Sequence, residues 1–570
     1  MSDLQYKNQL VERLYYVFGV LLLSGILGVI VSIIANYFVL VVRWFANLRT
    51  NSNDFFQFSG LSFSSIIWLF TAVFILYFIR NACNIDRWHG PADAVYASHR
   101  TDNELDLKRG VGSTFAALVS LSAGAPVGQY GPLVNFGASI ASFLSQITRV
   151  KMIPPDVLMS CGVAAAISAG FNAPIGGIIF AHEAVLRHFS LSALLPIAIA
   201  STVSAAFGTW AFGGAPLFSL SLDAPDLLPL LPSLVLSGFV FGIVALIYMR
   251  MIFMFAAMPA KSGIGYLPLA LIAALVTGAF GIFYPEVLGL GVDVIFSFIN
   301  DDLSVKLILV LLGLKILLTT LCIGFGVFGG VFSPALFIGA ATGQAMSNLL
   351  SQIYLFSPST VLAVSGMAAV AACVVGAPLA VVMIILELTM SYDYAIAALI
   401  STMVAVMVTN SLYGHSFFDK QLELRGIDLS QGRGNLELMG KKVDSILTQD
   451  YLTVFPEEKI GPAIKKMSLN GNSEAYCLDG EGRFLGKCML SNIVNTRRTA
   501  KIRDHLELNS TSIKSDASIM QAIEVASDFV GESIPVLSRV SGKLKGVVTE
   551  ADIFQAYMAT QVKINDLERR

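Results

Sequence analysis

Long apolar runs constrain this chain more than any other feature. A helix needs roughly 20 consecutive apolar residues to cross the ~30 Å hydrocarbon layer of a bilayer. Runs of that kind recur along the chain as far as residue 412, at 15–42, 61–79, 230–248 and 267–283. With 55% hydrophobic and only 13% charged residues, the chain is also too apolar for a soluble globular protein. The sequence therefore predicts an integral membrane protein.

Charge is concentrated at one end of the chain. There are 37 Lys and Arg and 39 Asp and Glu residues, 76 in all, and 38 of these lie between 426 and 570. We therefore divide the chain into a membrane domain (1–425), a linker (426–440) and a soluble region (441–560). The first apolar run is longer than the core of a signal peptide, so we expect it to be retained as a helix. No basic stretch suggests nucleic-acid binding, and the six cysteines form no CxxC pair that would indicate a zinc site or a disulfide framework.

The membrane domain contains an internal repeat, over roughly 15–215 and 228–425. The segment 124–138 matches the segment 326–340 at a constant offset of 202 residues, with four small residues and a proline preserved. A second pair, 172–183 and 376–387, matches at an offset of 204, and each member has a glutamate nine residues after its proline. Small residues also let helices pack closely, but two segments with nearly the same offset favour a transporter architecture with its site between the halves.

The glycines and prolines of these segments suit a particular kind of binding site. A proline in the first turn of a helix loses nothing by its missing N–H, and the glycines before it free the backbone to direct unpaired N–H groups at a ligand. Helix N-termini carry partial positive charge, so two of them meeting at the midplane bind an anion without a buried Lys or Arg. Partial charges also leave the anion free to move on. The pattern predicts an anion pathway between the repeats.

The motifs resemble those of the CLC family of chloride channels and chloride/proton antiporters, over nearly the whole chain. Residues 128–132 (GQYGP) stand where that family has its G-(K/R)-E-G-P motif, and residues 330–334 (GVFSP) match its G-x-F-x-P motif. Residues 171–183 are similar to the segment that leads to the family's internal proton-pathway glutamate, and residues 376–389 to its counterpart in the second half.

This resemblance implies an all-α polytopic membrane domain, an inverted repeat of about 18 tilted helices. It also implies a homodimer with one pore in each subunit, embedded in the lipids of the cell membrane with both termini cytoplasmic. The transported ion would be chloride or another small anion.

The resemblance fails at the position of the family's gate. There a glutamate competes with the anion for a site and swings away when protonated, but this chain has Tyr130. A phenol has a reference pKa of about 10, so it stays neutral near pH 7 and does not mimic chloride. Tyr130 can instead donate its hydroxyl to the anion or stand as a steric plug; a tyrosine merely packed at a helix start is the alternative.

The internal proton-relay glutamate of the family is also displaced. Its position falls on Ala184, which leaves His182 and Glu183 as the candidate proton relay. A shift of one residue turns a side chain by ~100° around a helix, so the usual proton route is not expected. Because Glu183 recurs in the second repeat as Glu387, we favour a structural role for both carboxylates at helix ends.

The resemblance also implies a set of anion-binding residues. Residues 88–92 take the place of the family's G-S-G-I-P stretch, and Phe418 takes the place of a late tyrosine whose hydroxyl reaches the ion. The anion-binding set is His89, Gly90, Gln129, Tyr130, Gly131, Val331, Phe332 and Phe418. Phe418 cannot donate a hydrogen bond, and one hypothesis is that Tyr130 supplies the missing hydroxyl. His89 is either an anion ligand or a membrane-interface residue beside Trp88.

The soluble region falls into two similar halves, 441–498 and 499–560, and looks like a pair of CBS domains, which are small α/β modules. Such pairs usually bind an adenine nucleotide. The residues that resemble ribose and phosphate contacts lie in the second half and are Ser533, Pro535, Thr549 and Asp552. The first half has Ser491 and Asn492 where an acidic residue is expected. The pair is either a nucleotide site or a dimerisation platform.

The sequence thus predicts a chloride channel that conducts anions passively and without coupling to protons. Two alternatives stay open: an anion/proton antiporter with an unusual proton route, and a nucleotide-regulated sensor whose membrane part no longer conducts. No nucleophile, base and orienting residue converge in any motif, so an enzyme is not expected.

Overall fold

The structure is a computed structural model that describes residues 3–51, 57–58, 61–100, 102–147, 152–213, 226–300, 303–353, 358–429, 432–508 and 510–569. The chain divides into two compact units, Met1–Gly426 and Ile427–Arg570. We call them the membrane unit and the C-terminal unit, and each is described by itself.

The membrane unit is all-α apart from one short antiparallel hairpin, β1 (Gln57–Phe58) and β2 (Leu61–Ser62). Its described residues form seventeen α-helices, close to the predicted number: α1 (Asp3–Asn51), α2 (Ser64–Ala82), α3 (Pro91–His99), α4 (Leu107–Ser122), α5 (Tyr130–Ile147), α6 (Pro155–Phe171), α7 (Pro174–Phe180), α8 (Leu191–Phe212), α9 (Leu227–Ser262), α10 (Tyr266–Phe283), α11 (Val292–Ile299), α12 (Val305–Gly324), α13 (Phe332–Ser351), α14 (Ser359–Val375), α15 (Pro378–Thr389), α16 (Tyr392–Leu412) and α17 (Phe417–Glu423).

Helix length separates spanning helices from broken ones. Seven helical segments of the described chain are long and apolar enough to cross a membrane, which confirms a multi-pass membrane protein. By contrast, α3, α7, α11 and α17 have only seven to nine residues and are too short to cross a bilayer. Short helices at membrane depth require protein or a polar cavity around their exposed ends, and two of them, α3 and α17, line the site described below.

The two repeats pack in the same way. α5 crosses α6 where Gly137 meets Gly162, and a Cβ on Gly137 would lie 2.2 Å from the Gly162 carbonyl oxygen. α13 crosses α14 where Gly339 meets Gly366, and a Cβ on Gly339 would lie 2.1 Å from the Gly366 carbonyl oxygen. These distances exclude any side chain, so the repeated glycines are required for the backbones to approach so closely.

The C-terminal unit contains two three-stranded sheets and five helices in its described residues. The sheets are β3-β4-β5 and β6-β7-β8, and in each the first pair is parallel and the second antiparallel. The strands are β3 (Thr453–Val454), β4 (Glu474–Leu478), β5 (Phe484–Met489), β6 (Ile513–Lys514), β7 (Ile534–Leu537) and β8 (Leu544–Val548). The helices are α18 (Gly432–Gly440), α19 (Ile460–Asn470), α20 (Leu490–Ile493), α21 (Ile519–Ser527) and α22 (Glu550–Arg569).

The halves of this unit exchange their opening segments. Val443, which opens the first half, is buried in the core of the second half against Ile534 and Val548. Ile502, which opens the second half, is buried in the core of the first half against Val454 and Ile460. The predicted sequence halves are therefore not independent folding units, because each supplies an apolar side chain that completes the other's core.

Candidate functional site

The loop that precedes α5 and the loop that precedes α13 contact each other. The Gly128 N–H donates to the Gly330 carbonyl and the Gly330 N–H donates to the Gly128 carbonyl, both at 2.6 Å, in an isolated antiparallel bridge. A Cβ on Gly128 would lie 2.8 Å from the Gly330 oxygen, so the bridge depends on glycine. The N-termini of α5 and α13 begin two residues further on, at Tyr130 and Phe332, and are thereby held side by side.

The bridge decides which amides remain for a ligand. Because Gly128 and Gly330 use their N–H groups on each other, the amides that follow them are the ones left over at the helix starts. The first N–H groups of an α-helix lack partners within the helix and carry its positive dipole end. The arrangement is therefore a pair of neighbouring amide clusters suited to an anion.

A pocket, which we call the central pocket, opens onto this bridge. It is lined by residues from both repeats and from α3, α9, α12 and α17, among them Arg87, Trp88, Gly90, Pro91, Gly131, Phe328, Gly330, Val331, Phe332, Phe418 and Arg425. Five of the eight predicted anion ligands are thus brought together here. The remaining three, His89, Gln129 and Tyr130, are not among its lining residues.

Tyr130 belongs to an aromatic cluster beside the central pocket. Its ring stacks on Phe171 with centroids 3.7 Å apart and meets the edge of Phe332 at 5.8 Å. Its hydroxyl donates to the Gly170 carbonyl at 3.3 Å, and a Cβ on Gly170 would strike the ring at 2.6 Å. The hydroxyl that was expected to compensate for Phe418 is therefore bonded to backbone in this structure.

A second pocket lies on the other side of that cluster. Phe332 lines the central pocket, whereas Phe171 and Gly170 line this second one, together with Asn36, Arg43, Asn172 and Thr209. We call it the Arg43 pocket. None of the described residues that line either pocket is acidic. The Tyr130 ring, which contacts both phenylalanines, therefore stands between two electropositive or neutral cavities.

The loop before α3 is fixed against the second repeat. The Trp88 indole N–H donates to the Gly326 carbonyl at 2.9 Å, and the ring stacks on Phe328 with centroids 5.5 Å apart. The His89 backbone N–H donates to the Ser113 hydroxyl at 3.0 Å. The His89 Nδ1 atom is buried and has no hydrogen-bond partner among the described residues. His89 therefore lies next to the central pocket without lining it.

Two arginines of the central pocket were not predicted from the sequence. Arg87 and Arg425 both line it. Each forms a salt bridge with the buried Asp93, at 2.7 and 2.9 Å, and Asp93 also accepts the Gly90 N–H at 2.9 Å. The Asp93 carboxylate thus orders both Arg87, which is close to it in sequence, and Arg425, which is 332 residues away. The second contact has no local sequence signal.

Glu183 and Glu387 bind the repeats to each other. Glu183 accepts the N–H groups of Leu379 and Ala380 at 3.1 and 2.8 Å, at the start of α15. Glu387 accepts the N–H groups of Ile175 and Gly176 at 2.9 and 2.7 Å, at the start of α7. Each carboxylate therefore caps the helix of the other repeat, with both of its oxygens engaged.

His182 lies on a π-helical turn, Ala181–Leu186, that continues α7. Its Nδ1 atom is 3.2 Å from the His188 carbonyl and its ring stacks on Phe189. Its Nε2 atom is buried without a partner among the described residues. Ala184 lines a third pocket with Glu183, Phe418 and the ion pair Arg187–Asp419. Turns of this kind are frequent at functional sites.

In the C-terminal unit, Ser533 belongs to a buried polar network. Its carbonyl accepts the Tyr476 hydroxyl at 2.8 Å and the Lys487 ammonium at 2.6 Å. Lys487 also forms a salt bridge of 2.7 Å with Glu474, and both side chains are buried. Burial raises the pKa of the Tyr476 hydroxyl above its ordinary value, so this hydroxyl remains a donor. Ser533 therefore ties β4 and β5 to the start of β7.

The other predicted nucleotide contacts lie at one helix start and one strand. Thr549 donates its N–H and its hydroxyl to one Asp552 oxygen, at 2.9 and 2.7 Å, and the Asp552 N–H donates back at 3.1 Å. The pair caps the N-terminus of α22 and leaves the second carboxylate oxygen of Asp552 for another partner. Pro535 is buried within β7.

Comparison with known proteins identifies the families that the two parts of the chain resemble. The model of the family "Voltage gated chloride channel" matches residues 71–410, and that of the CBS domain matches residues 504–559. The chain is 26% identical over 427 residues to the H(+)/Cl(-) exchange transporter ClcA of Vibrio campbellii (strain ATCC BAA-1116), which covers 71% of this chain and 89% of the relative. It is 27% identical over 344 residues to the putative chloride channel protein ClcB-like of Ralstonia nicotianae (strain ATCC BAA-1114 / GMI1000), with 58% and 79% covered.

Solved structures share the fold. A slow cyanobacterial Cl-/H+ antiporter aligns with a TM-score of 0.65 and 19% identity, covering 71% of this chain and 97% of that one. A eukaryotic CLC transporter aligns with a TM-score of 0.62 and 19% identity, covering 95% and 98%. The predicted fold class, a CLC-type helical membrane domain with a C-terminal α/β CBS region, is confirmed. This chain belongs to the voltage gated chloride channel (CLC) family.

Proposed function

We propose that this protein conducts chloride or a similar small anion passively across the cell membrane, without coupling to protons. The observation that carries the proposal is the bridge between Gly128 and Gly330, which holds the N-termini of α5 and α13 together beside the central pocket. Arg87 and Arg425 in the lining of that pocket raise the local concentration of anions by electrostatic attraction. The anion passes from these arginines to the amides around Gly131 and Val331.

The carboxylates support uncoupled conduction. A coupled proton route needs groups that exchange protons along the path, and this chain has Tyr130 and Ala184 at the two positions where the family resemblance implies glutamates. Glu183, the nearest carboxylate in sequence, has both oxygens bonded to the amides of α15. A proton on Glu183 would break one of those bonds, which disfavours relay chemistry at this site.

Tyr130 acts in this proposal as a steric plug. Its ring lies between the central pocket and the Arg43 pocket, packed on Phe171 and Phe332. Its hydroxyl is occupied by the Gly170 carbonyl, so it does not replace the hydroxyl that Phe418 lacks. Rotation of this ring away from Phe171 and Phe332, which line the two pockets, opens a route between them in this proposal. No acidic side chain among the described lining residues opposes an anion on that route.

Flux through reconstituted vesicles tests the proposal. Purified protein in liposomes with a chloride gradient is expected to give a reversal potential that follows chloride alone. An external pH electrode should register no proton uptake when chloride leaves the vesicles. Chloride-driven proton movement would contradict uncoupled conduction, and absence of any anion flux would contradict the transport proposal itself.

An anion/proton antiporter is the second candidate. Relatives of this chain are named as H(+)/Cl(-) exchange transporters, and His182 has a buried, unpartnered Nε2 atom among the described residues. A histidine there would carry the proton that Ala184 cannot. If vesicles do take up protons, His182→Gln should abolish the uptake while anion flux persists.

Two further proposals concern assembly and regulation. We propose a homodimer with one pore per subunit and with both termini in the cytoplasm, as the family resemblance implies. The CBS pair is proposed to bind an adenine nucleotide through Asp552, whose second carboxylate oxygen is not used in the cap of α22. A nucleotide sensor without conduction is the alternative, and tight nucleotide binding in the absence of anion flux would support it.

A further inference from the structure

A buried lysine stands behind the anion site. Lys315 is in the middle of α12, its side chain is 0% exposed, and it is the only buried lysine or arginine in the described residues of the membrane unit. A charge in such surroundings is expensive and marks function by default. From the sequence, two helix N-termini were predicted to hold an anion without any buried cation.

The contacts of Lys315 suit an ammonium group. The ammonium donates to the carbonyls of Val287 and Gly289 at 3.0 and 2.8 Å, and it lies 4.6 Å from the centre of the Phe337 ring. Two carbonyls and a ring face are all electron-rich acceptors, which match the three donors of an ammonium. Lys315 forms no salt bridge with any residue that the structure describes, so its positive charge is not neutralised locally.

Lys315 and its helix α12 are connected to the site by three short routes. The Gly289 N–H donates to the carbonyl of Gly124 at 2.9 Å, where the loop before α5 begins. Phe337, under the ammonium, lies five residues after Phe332, about 7.5 Å along α13 at 1.5 Å per residue. Thr319, one turn further along α12, donates to the carbonyl of Pro126 at 2.6 Å. The cation therefore stands behind the loop that carries the bridge and does not contact the pathway.

We propose that Lys315 is a fixed whole charge behind the anion site: it raises the positive potential at the paired N-termini of α5 and α13 and so contributes to anion affinity and to the exclusion of cations. This inference rests on the proposed function. Placement behind the loop resolves a conflict, because a cation in direct contact would hold the anion too tightly for conduction. At roughly 10 Å and an effective dielectric constant of about 20, the attraction amounts to an order of tenfold in anion affinity.

The test separates charge from anchoring with three variants of the full-length protein. Lys315→Gln keeps a donor for the two carbonyls but removes the charge. Lys315→Arg keeps the charge, and Thr319→Val removes a neutral bond from the same helix to the same loop. Chloride binding is measured by calorimetry in detergent, and the chloride/potassium permeability ratio is measured from reversal potentials in vesicles.

Lys315→Gln is expected to weaken chloride binding about tenfold and to lower the chloride/potassium permeability ratio. The chloride affinity of Lys315→Arg should stay within about threefold of wild type. Thr319→Val should lose less chloride affinity than Lys315→Gln. Wild-type affinity in Lys315→Gln, or an equal loss in Thr319→Val, would overturn the inference. If Lys315→Gln does not fold, a folded Lys315→Arg variant that no longer binds chloride would overturn it, and one that binds normally supports it. If chloride binding depends on the Lys315 charge but the wild type shows no anion flux, only the conduction proposal is refuted. If the wild type binds no chloride, both the conduction proposal and the proposed role of Lys315 are refuted.

Discussion

The two membrane repeats share their helix starts and bridging glycines but differ in the side chains that hold the loops in place. At an offset of 202 residues, Lys315 of α12 corresponds to Ser113 of α4. Both fix the loop that precedes a short helix: Ser113 accepts the His89 N–H before α3, and Lys315 donates to the Gly289 carbonyl before α11. The same anchoring task is therefore done once by a neutral hydroxyl and once by a cation.

The repeats also differ at other equivalent positions. α5 begins with Tyr130 and α13 with Phe332, and α7 runs into a π-helical turn whereas α15 stays regular to Thr389. Shared parts, such as the bridging glycines, fix helix ends that both repeats need. The repeats therefore share the residues that fix helix ends and differ in the side chains beside the bridge, and we expect changes at these two kinds of position to affect transport differently.

The largest expected effect comes from breaking the shared skeleton. Gly128→Ala places a Cβ 2.8 Å from the Gly330 carbonyl oxygen, which forces the two loops apart. We expect anion flux in vesicles to fall at least about 100-fold, since a ~1 Å displacement of site groups has effects of that order. Gly313→Ala in α12, where a Cβ meets nothing within 4 Å, is the matched control. Normal flux in Gly128→Ala would show that the bridge is dispensable.

The next effect tests the divergent residue of the first repeat. Tyr130→Ala removes the ring between the central pocket and the Arg43 pocket, and we expect flux to rise on the order of tenfold, or about 1.4 kcal/mol of barrier. Tyr130→Phe loses only the hydrogen bond to Gly170 and should stay within about twofold. Chloride flux and affinity are measured for both. A large loss of affinity in Tyr130→Phe would restore the hypothesis of a hydroxyl ligand.

A smaller effect is expected where the repeats are equivalent. Glu183→Gln and Glu387→Gln each replace one accepting oxygen at a helix N-terminus, so each should cost about 1 kcal/mol of unfolding free energy. Thermal unfolding of the purified protein is expected to show similar losses for the two variants, with anion flux within about threefold. A change in proton movement in Glu183→Gln alone would identify a relay and contradict the purely structural role.

The smallest effect concerns the two halves of the C-terminal unit. AMP or ATP is expected to raise the melting temperature of the wild type by a few degrees, as a ligand that binds only the folded state does. Asp552→Asn should remove this shift, whereas Asn492→Asp, at the corresponding position of the first half, should preserve it. If neither nucleotide shifts the wild type, the CBS pair is better explained as a dimerisation platform.

Sequence reasoning was sufficient for the skeleton of the membrane unit. Glycine and proline restrict or release backbone dihedrals within a few residues. Their recurrence at a constant offset therefore predicted helices that start near 128 and 330, close to the observed starts at Tyr130 and Phe332, with N-termini that meet between the repeats. The family motifs likewise predicted the fold and the CBS region, and they directed attention to Tyr130 and Ala184 as departures.

Only the tertiary structure decided which side chains face the pathway and which hold it in place. Tyr130 directs its hydroxyl to a carbonyl 40 residues away, and Thr319 of α12 bonds a carbonyl 193 residues away. His89 lies beside the central pocket. Lys315, a single charge in an apolar run, lies behind the loop that precedes α5. Contacts of this kind depend on how whole helices pack, and close packing couples residues that no local pattern relates. The amino-acid sequence thus determined where helices begin and end, because that is a local matter of backbone conformation, whereas packing placed the charges and rings around the central pocket.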